Sequence, residues 1–307
     1  MGLYRRVECP AKINLCLYVV GKRDDFFHDV VSLVVQLDFC DRLGIRFSDV
    51  AENDMLICDV PGIPTDHHNI LMRTLEVFRA TYDFPYHISL SLEKNIPVGS
   101  GMGGGSSDAA ILLKTLNEML AFPIDEEQLR KMAAQIGADV PLFLSSSPCI
   151  VKGRGEIVLA VNGKRLKWLR KTKFLIFKPL FSVPTKHAYE ILESDNVRYH
   201  TYTSVATENV QQILIGMEEE KHFPDFWNVF QSIIGEKYTE LGLIFSDLQK
   251  YFRTKAYLTG TGSACFIPLA DNFDAGPIAE YLREVLGKST FIIETHARMF
   301  DAPTLDR

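Results

Sequence analysis

Five of the ten residues from Gly99 to Asp108 are glycine: Gly99, Gly101, Gly103, Gly104 and Gly105. No other stretch limits so sharply what this chain can fold into. Glycine loses more backbone freedom on folding than any other residue, so a cluster persists where the chain needs φ > 0 or a close approach. Ahead of it Ile88, Leu90 and Leu92 alternate as in a strand. Behind it Ala109, Leu112, Leu113, Leu116 and Leu120 recur on one helical face, with Ser106 or Ser107 in the N-cap position. A glycine loop feeding a helix N-terminus gathers unpaired N–H groups at the positive end of the helix dipole. That is an anion site, and close backbone contact on this scale suits a polyphosphate.

Elimination narrows the kind of loop. A P-loop needs Lys-Ser or Lys-Thr after its last glycine, and Gly105 is followed by Ser106-Ser107. The spacing of Gly99, Gly101 and Gly104 satisfies the dinucleotide fingerprint, but no second strand ending in an acid follows about 20 residues on. A flexible linker would lack the ordered flanks. Phosphate binding is the reading that survives.

With 307 residues, 47% of them hydrophobic and 23% charged, the chain can bury a large core, most simply as two domains. The polar, basic stretch Asn162 to Lys173 places the boundary at 163/164, giving domains 1–163 and 164–307. A formal net charge of −6 argues against a nucleic-acid partner. Met1 to Arg6 precedes no apolar leader and no run reaches membrane-spanning length, so a cytoplasmic protein without a membrane partner is expected. Cys9, Cys16, Cys40, Cys58, Cys149 and Cys265 form no C-x-x-C pair and read as reduced thiols rather than zinc ligands or disulfides.

Taken in order, Pro10 to Val20 alternates as a strand that puts Lys12 and Asn14 on one face, either its solvated side or one looking into a cleft. Phe26-Phe27-His28 closes a charged turn; the aromatics anchor the core or lie beside a ligand. A strand is expected at Asp54 to Val60, and Asn69 caps a helix running to about Tyr82. Asp125 with Gln128 forms a capping box, and Gly137 ends that helix as a C′ residue. Asp139 then falls in a loop past a helix C-terminus, where the dipole disfavours it, with Val140 held extended by Pro141. An Asx-turn explains Asp139 as well as a functional role does. The second half reads as strands at 174–177, 255–258, 264–269 and 290–295 with a helix at about 184–192, two or three more helices to about 252 and another at 273–286, an α+β layer on an antiparallel sheet. Leu258-Thr259-Gly260-Thr261-Gly262-Ser263 is a tight hairpin or a second loop closing on the same phosphates.

Three motifs in order, Pro10-Ala11-Lys12-Ile13-Asn14-Leu15, the glycine loop to Asp108, and Leu258-Thr259-Gly260-Thr261-Gly262, resemble the GHMP small-molecule kinases. Phe27-His28 and Gly137-Ala138-Asp139-Val140-Pro141 are similar to the branch of that family whose substrate is a cytidine diphosphate ester of methylerythritol, on the non-mevalonate route to isoprenoids. The resemblance implies a two-domain α+β GHMP kinase fold, with a mixed or antiparallel N-terminal sheet and a C-terminal ferredoxin-like layer. It implies ATP-dependent phosphorylation of the substrate's tertiary 2-hydroxyl, with Mg²⁺, by a monomer or homodimer. Lys12 and Asp139 would be catalytic. Asn14 and His28 would bond the cytosine edge, Phe27 and Tyr189 stack on it, and Thr185, Gly260, Thr261 and Gly262 meet the substrate. Asn69 and Lys94 would border the adenine; Pro97, Gly99, Gly101, Gly103, Gly104 and Gly105 would take the ATP phosphates, with Ser106 or Ser107 near magnesium. Asp108 is not read as a ligand, and no residue is assigned as a metal ligand. Phe26-Phe27 stands where that family reads Gly-Tyr. Another kinase of the family, of homoserine or mevalonate type, and a catalytically silent nucleotide-binding regulator are the alternatives.

Overall fold

The computed structural model describes residues 3–48, 53–58, 60–145, 147–162, 166–194, 202–219 and 224–299. The expected boundary at 163/164 lies outside them. Two compact units emerge, interleaved in sequence: Met1–Ala11, Phe39–Ile96 and Gly103–Ser145 form the first, and Lys12–Asp38, Pro97–Met102 and Ser146–Arg307 the second.

Two long strands, β1 (Tyr4–Lys22) and β2 (His28–Ser48), pair as a hairpin whose residues contribute to each unit. In the first unit, β4 (His87–Glu93) runs antiparallel to the end of β2, from Arg42↔Glu93 to Ser48↔His87, and parallel to β3 (Met55–Cys58), which makes the sheet mixed. Helices α1 (Ile70–Thr81), α2 (Gly104–Met119), α3 (Glu126–Ile136) and the single turn α4 (Val140–Phe143) pack on one another. Asn69 caps α1, its Oδ1 accepting from the Leu71 N–H at 2.9 Å, and buried Leu71, Thr74, Leu75 and Phe78 follow at one-face spacing. Asp125 caps α3 through the Gln128 N–H.

Three local expectations are corrected here. The residue capping α2 is Gly103, in the left-handed region at φ +70°, so Ser106 and Ser107 lie inside the first turn. Gly137 ends α3 with an extended backbone, φ −177°, rather than a left-handed one. Val140 is helical despite Pro141, which at N1/N2 of a helix needs no N–H partner. Asp139 is therefore the cap residue of α4 and stands at the favourable end of a helix.

In the second unit, the start of β2 pairs antiparallel with β5 (Cys149–Gly153), and β5 with β6 (Ile157–Ala160) through the turn at Gly153 to Glu156. After a short α5 (Lys167–Arg170), a second sheet orders its strands β10-β7-β9-β8, antiparallel throughout: β7 (Thr172–Lys178), β8 (Tyr257–Leu258), β9 (Cys265–Ala270) and β10 (Phe291–His296). Helices α6 (Thr185–Ser194), α7 (Thr203–Glu219), α8 (Val229–Lys237), α9 (Thr239–Phe252) and α10 (Gly276–Leu286) complete it. One core joins Leu17 and Val19 of β1 to Leu175 and Phe177 of β7, Phe230 of α8 and Leu282 of α10. The six cysteines are free thiols, and no described helix is long and apolar enough to cross a membrane.

Candidate active site

Lys12 and Asn14 share a face of β1, as alternation requires, and both are buried, so that face is not a solvated one. The Lys12 ammonium donates to Asn14 Oδ1 at 2.6 Å. Asn14 is fixed in turn: its backbone N–H donates to Thr259 Oγ1 at 3.0 Å, its amide donates to Ser32 Oγ at 2.9 Å, and Oδ1 also accepts from Thr259 at 3.3 Å. Among the described residues these bonds leave Asn14 one amide hydrogen for a ligand. Its first task is to hold the lysine.

The two glycine segments of this unit meet backbone to backbone. A Cβ on Gly101, where φ is +78°, would lie 2.6 Å from the Thr259 carbonyl oxygen. A Cβ on Gly260 would come 3.1 Å from the Gly101 oxygen and 3.5 Å from Lys12 Nζ. The Lys12 N–H donates to the Met102 oxygen at 2.9 Å and the Ala264 N–H to the Ser100 oxygen at 3.1 Å. Gly99 is left-handed too, against Ser182, while Pro97 is half-buried where the segment begins. The 258–263 loop is thus both a hairpin connection and a partner of the glycine loop. Thr185 at the start of α6 lies with Thr261, oxygens 3.4 Å apart. Asn228, which had no sequence signal beyond a helix cap, donates to the oxygens of Leu258 and Gly260 at 2.8 and 2.9 Å and braces that loop.

At the β1–β2 turn, Phe26 adopts φ +65°, so a bulky side chain takes the left-handed conformation that suits glycine. Phe27 is half exposed, with the Arg154 guanidinium 3.7 Å from its ring centroid. His28 is buried and stacks on Tyr189, centroids 4.6 Å apart. Tyr189 therefore faces His28 rather than standing ready as an independent aromatic wall. Burial holds the His28 imidazole below its ordinary pKa; Glu193, 3.2 Å from Nε2, opposes this and nearby Lys22 adds to it.

The first unit holds the helix end of the glycine loop. Gly103 opens α2, and Gly104 and Gly105 are its first two residues. Ser107 Oγ is buried without a hydrogen-bond partner among the described residues. Lys94 donates to Asp41 and to Asp108, 3.0 Å away for the latter. Burial lowers the lysine pKa, but the two aspartate charges outweigh it and leave it raised. Burial pushes Asp108 up to about 7 despite Lys94, and Cys9 on β1 also hydrogen-bonds it. Asn69 spends its side chain on the α1 cap and on the Pro64 oxygen. Asp139 is half-buried at the start of α4.

Comparison with known proteins fits this arrangement. The GHMP kinases N terminal domain profile matches residues 69–147. The chain is 33% identical to the 4-diphosphocytidyl-2-C-methyl-D-erythritol kinase of Thermodesulfovibrio yellowstonii, over 83% of this chain and 86% of that one. It is 30% identical to the enzyme of the same name from Syntrophotalea carbinolica, over 93% and 96%. A crystal structure of 4-(cytidine 5′-diphospho)-2C-methyl-D-erythritol kinase superposes with a TM-score of 0.75 at 25% identity, covering 96% of this chain and all of the other. The homoserine kinase of Cytophaga hutchinsonii, at 16% identity and a TM-score of 0.67 over 96% of this chain and 95% of its own, shares the fold.

Proposed function

This chain belongs to the 4-diphosphocytidyl-2-C-methyl-D-erythritol kinase family of GHMP kinases, and we propose that it transfers a phosphoryl group from ATP to the 2-hydroxyl of that cytidylyl substrate, on the non-mevalonate route to isoprenoid precursors. The geometry that carries the reading is the buried Lys12 ammonium. It is held by Asn14 and lies against Gly260, in a unit where two glycine segments meet.

Phosphoryl transfer asks the protein mainly for positioning and charge, not covalent chemistry. Lys12 supplies the positive charge beside the group in transfer, in an orientation that Asn14 and Thr259 fix beforehand. Asp139 orients the acceptor hydroxyl or takes its proton. The backbone N–H groups from Val98 to Gly105 hold the ATP phosphates, with Pro97 opening the loop and Asn69 and Lys94 bordering the nucleotide. Ser107 Oγ, buried and unpartnered, and Ser106 beside it are the groups that fit a magnesium ion, which when bound would neutralise phosphate charge. Asn14 and His28 read the cytosine, Phe27 and Tyr189 provide its aromatic surroundings, and Thr185 and Gly260 to Gly262 meet the phosphates or sugar. In this reading residues 1–163 form the nucleotide-loop domain and residues 164–307 the second domain, and the enzyme acts as a monomer or homodimer.

The cytosine assignment separates this reading from other members of the fold. CDP should inhibit competitively against the acceptor and leave the KM for ATP unchanged; a protein with no affinity for cytidine nucleotides would contradict it.

A further inference from the structure

Asp41, on β2, is fully buried, and none of the roles above uses it. Its Oδ1 accepts from the backbone N–H groups of Asn95 at 2.6 Å and Ile96 at 2.7 Å, the residues that lead from β4 into the glycine loop. Its Oδ2 accepts from Lys94, whose ammonium also donates to Asp108, five residues into α2. One carboxylate thus ties β2 to the exit of β4 and, through Lys94, to the phosphate helix.

The lysine is an odd choice for this place. A cation at a helix N-terminus opposes the dipole, and this one touches the helix's first residue: a Cβ on Gly104 would lie 2.7 Å from Nζ and 3.2 Å from Asp41 Oδ2. The Lys94 side chain is only 9% exposed, and its donors turn inward to the two aspartates. A lysine meant to grip phosphate would keep its charge toward the ligand. The Lys94 charge is met by the two carboxylates it contacts rather than turned toward an approaching polyanion.

We propose that Asp41 and Lys94 are positioning residues of the nucleotide site: the pair fixes the direction of the α2 N-terminus, and the helix N–H groups, not the lysine charge, bind the phosphate. The inference rests on the kinase reading above.

Titration of a fluorescent ATP analogue against wild type, Asp41→Asn, Lys94→Met and the double variant tests it, with KM for the acceptor measured alongside. Each single substitution should weaken nucleotide binding about tenfold, and the double variant should be no weaker than either, since one shared interaction is lost. The acceptor KM should not move, whereas a merely structural defect would lower the active fraction and leave both constants unchanged. Lys94→Arg keeps the charge but not the fit beside Gly104, so it should bind as poorly as Lys94→Met, and it decides the matter if Asp41→Asn does not fold. Nucleotide affinity retained in Lys94→Arg, retained or improved in Asp41→Asn, or equal to wild type in every variant overturns the positioning role. A wild-type protein that binds no nucleotide overturns the kinase reading itself, and the inference with it.

Discussion

Lys12 is only 4% exposed, and a buried lysine persists where its ammonium is hydrogen-bonded. Asn14 meets that need at 2.6 Å. Lys12→Ala should therefore reduce kcat far more than it weakens ATP binding, and Asp139→Asn should bind both substrates nearly normally while losing most turnover. Steady-state kinetics with both substrates varied checks the pair; wild-type turnover in the Asp139 variant would remove that residue from the chemistry. Asp108 makes a prediction of another kind. Its folded pKa of about 7 stands above the ordinary 3.8, so the proton it holds favours the folded state. Below pH 4 the carboxyl is protonated folded or unfolded. As pH rises from about 4 to about 7 the burden of a buried, ionised acid appears, and stability falls. Asp108→Asn cannot ionise, so the excess of its Tm over wild type should grow between pH 5 and pH 8. A constant difference across that range would show that Asp108 does not titrate there.

Helix α2 and the loop before it separate two uses of glycine. A Cβ on Gly105 meets only Ile70 at 3.6 Å, an ordinary contact, and its backbone is helical. Gly105→Ala should raise stability by roughly 0.5–1 kcal/mol and weaken ATP binding, because space is kept there for a ligand and not for the protein. Gly101→Ala forces a side chain into a left-handed residue and against the Thr259 oxygen. It should lose at least the roughly 1–2 kcal/mol of that conformation. Thermal melts and nucleotide titrations of both variants test the contrast; unchanged ATP affinity in Gly105→Ala would mean that its lack of a side chain serves no phosphate. The strand alternation of β1, the Asn69 and Asp125 caps and the helical face of α2 were legible in the sequence because each depends on residues within a turn or two. The bonds that decide the site were not. Asn14 meets Thr259 across 245 positions of sequence, and Asn228 and Asp41 act through backbone groups of distant segments. Val140 shows the converse failure, since the bias of a residue before proline yielded to a helix that starts there. The register of the α2 cap is not legible either, because a left-handed glycine, not a serine, begins the helix.

At the scale of the whole molecule, sequence order and spatial grouping diverge. The first unit collects three separated segments and the second three more. β1 and β2 carry residues of both units, which puts Lys12 at the first residue of the second unit and Asp41 in the first. Function follows the same logic, because the residues assigned to the chemistry come from β1, the glycine loop, the start of α4 and the 258–263 loop, and each is ordinary alone. The most direct test is ADP release from ATP and Mg²⁺ by the intact protein, measured with 4-diphosphocytidyl-2-C-methyl-D-erythritol, homoserine, mevalonate or no acceptor. Turnover with the cytidylyl substrate alone is the expected result; turnover with homoserine or mevalonate instead, or with no acceptor despite measurable ATP binding, would contradict the assignment.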